Sequence, residues 1–85
     1  MNEFEILKIN YDMVKKDLQN NSIDLYVAKI ELQTIVLKMS KIIKKDNSNE
    51  KIEFLHTAQK LLDEVNFNIT SLSAQEIFDS YTDEV

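Results

Sequence analysis

Glycine, proline, cysteine and tryptophan are absent from all 85 residues, and the ten basic residues are all lysine, so arginine is absent as well. A chain of ordinary composition and this length would carry about ten glycines and prolines together. Glycine supplies left-handed turns and phosphate-cradling loops, and proline stiffens turns and breaks helices. A polypeptide that dispenses with both has little loop surface on which to seat catalytic or ligand-binding groups. The absence of cysteine excludes disulfides and thiolate metal sites. Nucleic-acid recognition leans on phosphate neutralisation and bidentate arginine. A net charge of −5 and a pI near 4.7 therefore argue against that class.

Long hydrophobic runs are missing too. The longest, such as Ile35-Val36-Leu37, fall far short of a membrane span, and no basic segment followed by an apolar stretch opens the sequence. These features predict a soluble, cytoplasmic protein with no membrane contact. A chain rich in lysine, asparagine and isoleucine is what an AT-rich genome tends to encode, as in low-GC bacteria and their phages. At this length one domain is expected, near the lower limit at which a single core sustains a fold unaided.

What is present is helical periodicity. Phe4, Leu7, Tyr11, Val14 and Leu18 step by three and four. Asn2 with Glu5 resembles a capping pair, and Met1 and Ile6 are spaced as a hydrophobic staple. These signals predict a helix over 2–19. Asn20-Asn21-Ser22 ends it, since asparagine tolerates the left-handed conformation glycine usually takes, and Ser22 can cap the next helix. Over 23–45 the residues Leu25, Ala28, Leu32, Ile35, Met39 and Ile42 form an unbroken coiled-coil-like seam, widened by Val36 and Ile43. Lys38, Lys41, Lys44 and Lys45 cluster towards its end, a favourable place for cations at a helix C-terminus.

Asp46-Asn47-Ser48-Asn49 interrupts the pattern, and either Asn47 or Ser48 can cap a third helix over 48–68, whose face is Phe54, Leu55, Ala58, Leu61, Leu62 and Val65. Ser73-Ala-Gln-Glu76 is a capping box, flanked by Leu72 and Ile77, that predicts a short fourth helix over 74–82 with Ile77, Phe78 and Tyr81. Short connectors force successive helices antiparallel. The expected architecture is all-α: an antiparallel three-helix bundle, or a helical hairpin plus third helix, with a short C-terminal helix.

One feature exceeds what such a bundle requires. At 100° per residue the core-type residues of the first helix share an arc of about 80°, while Ile6, Ile9 and Met13 gather on the opposite side. In the second helix the seam is opposed by Ile23, Tyr26, Ile30 and Leu37. A bundle helix normally buries one broad stripe. A second stripe needs the fourth helix or another chain to cover it, and the fourth helix has too few apolar residues to cover both. Ile6, Ile9, Met13, Ile23, Tyr26, Ile30 and Leu37 are therefore the candidate partner-binding residues, with a symmetric homodimer as the default arrangement.

Catalytic and metal chemistry find little footing. Glu53-Phe-Leu-His56 has the E-x-x-H spacing of di-iron carboxylate bundles, with Glu31 as a third candidate ligand across a dimer. Both residues, however, point away from the apolar stripe of their helix. His56 is the only histidine, so no Ser-His-Asp triad or paired-histidine zinc site draws on a second imidazole. Asp63-Glu64 and Asp83-Glu84 are sequence neighbours that do not face each other on a helix. Asn68-Ile-Thr70 matches a glycosylation sequon without a secretory signal beside it. The expectation is a non-enzymatic helical protein without cofactor or metal, acting on another protein as a regulator, inhibitor or chaperone. The alternatives are a structural subunit of a larger helical particle, a bacteriocin-immunity-like protein and, remotely, the di-iron site.

Overall fold

In a computed structural model the chain folds as three packed helices, α1 (Glu3–Gln19), α2 (Leu25–Lys45) and α3 (Asn49–Asp83). The structure describes residues 1–83, with side chains through Leu72. The separate helix expected over 74–82 lies outside the residues whose side chains are described.

Local chemistry explains where α1 starts and stops. The Asn2 side chain caps the helix by accepting from the Glu5 N–H at 2.8 Å, and Glu3 and Glu5 place negative charge in the first turn. Met1, the proposed staple partner of Ile6, is largely exposed, so the hydroxyl-free amide cap rather than a staple fixes this end. At the other end Asn21 takes a left-handed φ of 55°. Its N–H donates to the Leu18 carbonyl at 3.2 Å, and the Ser22 N–H donates to the Asp17 carbonyl at 2.9 Å. Those two bonds are the pair that defines a Schellman motif, with asparagine standing where glycine is usual. The customary apolar contact across the motif is replaced by a polar one, because the Ser22 hydroxyl reaches the backbone carbonyl and the carboxylate of Asp17, both at 3.3 Å.

Ser22 is thereby committed to ending α1, and Asp24 caps α2 by accepting from the Tyr26 N–H at 2.8 Å. This is why α2 begins at Leu25. Its last turn carries Lys44 and Lys45, favourably placed against the dipole, and Asp46 closes it by donating its N–H to the Ile42 carbonyl at 2.9 Å. Asp46 also accepts from the Lys51 side chain, which ties the α2–α3 turn to the first turn of α3. The Ser48 carbonyl accepts from the Ile52 N–H at 3.1 Å as α3 opens.

The core is a single seam drawn from all three helices. Phe4, Leu7, Tyr11 and Val14 of α1 meet Ala28, Leu32, Ile35 and Met39 of α2 and Ala58, Leu62 and Val65 of α3. Leu18, Leu25, Val36, Ile42, Ile43, Phe54, Leu55 and Leu61 are half-buried around it. Leu32 and Met39, one heptad apart, are its largest fully buried side chains. α2 is the shared neighbour of the other two helices, whereas α1 meets α3 mainly through aromatic rings. Phe54 stands edge-on to Phe4 at 5.7 Å and to Tyr11 at 5.5 Å between centroids. Such edge-to-face pairs add about 0.5–1.5 kcal/mol each beyond burial. Lys8 and Lys51 then lie over the Phe4 ring at 5.0 and 5.7 Å, covering it with cations. Burial, with Asp12 and Glu64 nearby, raises the Tyr11 phenol above its ordinary range. No buried side-chain polar atom among the described residues lacks a hydrogen-bond partner.

Candidate protein-binding face

The helical phase that turns one stripe of α1 and of α2 into the core necessarily turns the opposite stripe out. Ile6, Ile9 and Met13 of α1 and Tyr26, Ile30 and Leu37 of α2 are exposed, each retaining between 45% and 64% of its accessible surface. The seventh candidate, Ile23, is placed differently. It lies in the α1–α2 turn and packs half-buried against the core. Val27, which the two-stripe reading of the sequence passes over, is exposed and joins the set. The signal was available, since Val27 falls midway between the seam and the outer stripe of α2. Phe67 and Leu72 of α3 are exposed as well. Phe67 stands opposite Ala58 on the helical wheel, a position that no periodic stripe marks.

Two grooves accompany these residues. A groove of about 340 Å³ runs between α1 and α2, with Leu7, Val14 and Ile35 beneath it and Met13 and Ile30 at its rim. Asn10 and Thr34 lie along its middle. This groove brings two of the candidate residues together, and the remaining four flank it on the same two helices. A wider groove, about 670 Å³, sits where the α1–α2 turn meets α3 and is lined by Leu18, Ile23, Leu25, Leu61, Val65 and Leu72 among others. Ile23 belongs to that second groove.

Charge is distributed unevenly along the first groove. Asp17 and Glu31 line one end and Lys38 lines the other. Beyond the acidic end stands Asp24, and beyond the lysine end Lys41, Lys44 and Lys45 continue along exposed positions of α2. The groove is thus apolar in the middle, with acidic groups at its α1–α2 turn end and lysines towards the end of α2, while the exposed charges at the ends of α1, Glu3 and Glu5 first and Lys16 last, run in the opposite sense. Interfaces commonly have this composition, with an apolar centre and a polar rim.

The E-x-x-H pair of α3 does not extend this site. Glu53 and His56 are exposed on α3, whereas Glu31 lines the α1–α2 groove, and the three do not converge within the chain. Among the described residues no group of three or more histidine, aspartate or glutamate side chains is arranged to hold a metal ion. Among the same residues no helix is long and apolar enough to cross a membrane. The chain matches no protein-family model, no curated protein and no solved structure.

Proposed function

We infer that this chain is a small, non-enzymatic helical binding module that acts by burying the outer face of α1 and α2 against another protein, in the manner of a regulator, inhibitor or chaperone. Two-fold pairing of one patch with itself is the commonest oligomer, so a homodimer is the default arrangement. One observation carries the reading: six large apolar side chains opposite the core seam remain uncovered by the described part of the chain. Fully burying such a side chain stabilises by about 1.5–3 kcal/mol, so a half-exposed one leaves roughly 1 kcal/mol unused. Six on two adjacent helices amount to about 6 kcal/mol per copy, comparable to the whole stability of a small domain. Scattered surface apolar residues are ordinary, but these six lie on the outer side of two adjacent helices, and apolar patches of that kind mark contact surfaces.

Helix-on-helix burial is the mechanism that this surface supports. Met13 and Ile30 rim a groove able to receive an apolar side chain, and the charged ends orient the partner by favouring opposite charge at each end. The test is Ile30→Lys combined with Leu37→Lys. Both positions are exposed, so helical circular dichroism is retained while association is lost. Loss of the helical signal would instead place these side chains in the chain's own core and remove the surface.

A further inference from the structure

We propose that the occupant of the α1–α2 face is a second copy of this chain turned end for end, with α2 antiparallel on α2 of the second copy and the two-fold axis crossing the face near Asn10 and Thr34. This pairing presupposes that the face is a binding surface, as inferred above, and adds its partner, orientation and register.

The positions of like and unlike groups select the axis. Glu31 and Lys38 both line the groove, and they lie seven residues apart on one flank of α2, about 10.5 Å along its axis at ~1.5 Å per residue. Ile30 and Leu37 are also seven apart, on the adjoining exposed stripe. A single end-for-end exchange about the level of Thr34 sets Glu31 beside Lys38 of the second copy and Ile30 beside its Leu37. It does so twice, because each copy contributes both members. On α1 the exposed pair Ile6 and Met13 is centred next to Asn10, which lines the same groove, so the same axis sets Ile6 opposite Met13. Two helices thus give concordant centres.

The opposite arrangement is disfavoured by charge. With α2 parallel to its copy, Lys38 meets Lys38 and Glu31 meets Glu31, and the row Lys38, Lys41, Lys44, Lys45 faces its own equivalent. Like charges level with one another across an interface are destabilising, and they act as the element that rejects a wrong orientation. In the antiparallel arrangement the lysine-rich end of α2 runs instead towards the Asp24 end of the second copy. Tyr26 comes level with Lys41, a geometry in which an ammonium and an aromatic face attract.

The experiment is sedimentation equilibrium on the full chain and its charge variants, supported by a thiol introduced into a protein that has none. Lys38→Glu sets glutamate beside Glu31 on both sides of the axis and weakens the dimer at least tenfold. Adding Glu31→Lys to Lys38→Glu restores it, because the pairs are re-formed with signs exchanged. Thr34→Cys, close to the axis, links two copies by a disulfide on mild oxidation, and the link is lost when Ile30→Lys and Leu37→Lys are added. A chain that sediments as a monomer at all concentrations overturns the self-pairing and leaves the face to a different protein. A dimer that the double charge reversal fails to restore overturns the antiparallel register while keeping the homodimer. A folded variant pair Ile30→Lys, Leu37→Lys that still dimerises removes the face itself from the interface.

Discussion

Two leucines five residues apart on α2 have opposite fates, which makes them a controlled comparison. Leu32 is wholly buried in the seam, whereas Leu37 keeps 64% of its surface accessible. Truncation of Leu32 to alanine removes the same atoms as truncation of Leu37, from the same helix, with the same change in helix propensity. At Leu32 the loss includes both transfer and the cavity left between three helices, about 2–5 kcal/mol. At Leu37, measured on the dilute monomer, the cost is within about 0.5 kcal/mol, as for surface substitutions generally. For a domain of this size 1 kcal/mol shifts the midpoint of thermal unfolding by roughly 4–8 °C. Leu32→Ala therefore lowers it by at least about 8 °C, and Leu37→Ala by no more than about 4 °C. The assay is thermal unfolding followed by helical circular dichroism at low micromolar chain, with unchanged denaturant dependence in urea as the check that both variants unfold from the same state. As concentration rises into the range where copies pair, the Leu37→Ala penalty grows and the Leu32→Ala penalty does not. Equal penalties at high dilution would show instead that Leu37 is sheltered by its own chain.

Further outcomes follow from the caps and the aromatic contacts. Asn21→Val places a β-branched residue at the left-handed position and lowers stability by about 1–2 kcal/mol, whereas Asn21→Gly leaves it equal or higher; thermal unfolding of the two variants checks the sign. Phe54→Leu keeps an apolar side chain but removes both edge-on contacts with Phe4 and Tyr11, lowering stability by about 1–3 kcal/mol in the same assay. The hydrogen bond and charge of Lys51 hold the Asp46 carboxyl below its usual range. The folded state thus gains from an ionised Asp46 above the ordinary carboxylate range and loses that gain as pH falls through the lowered value. Asp46→Asn accordingly makes the acid side of the stability profile shallower, as read by urea unfolding at a series of pH values.

Much of this architecture is legible in the residues. The three-four spacing of Phe4, Leu7, Tyr11 and Val14, and of Ala28, Leu32, Ile35 and Met39, specifies both helices and the side that each buries. That a second stripe stays exposed follows from the same arithmetic, because residues half a turn away from a buried stripe face outward unless something covers them. Less legible is how neighbouring polar residues divide the work of ending one helix and starting the next. Ser22 and Asp24 are both good caps, and sequence spacing alone does not reveal that Ser22 is drawn into the Asp17 end of α1, which leaves α2 to Asp24. Ile23 shows the corresponding limit for side chains. Its phase places it on the outer stripe of a helix that, in the fold, has not yet begun, and freed from that phase it turns towards the core beside Leu18 and Leu25. Val27 lies midway between the two stripes of α2 and Phe67 stands alone opposite the core side of α3, so neither belongs to a periodic set that would mark it, although the wheel position of each is compatible with its exposure.

Under the proposed function, a second molecule closes the apolar face that the described residues leave open on α1 and α2. Sedimentation equilibrium of the native sequence beside Ile30→Lys, Leu37→Lys, with circular dichroism on the same samples, measures it most directly. The native chain is expected at twice its 10.0 kDa mass at high concentration, and the variant at 10.0 kDa with its helical signal intact. A native chain that stays at 10.0 kDa throughout, together with a variant that loses its helices, would contradict the claim, because those side chains would then belong to the core of a single copy.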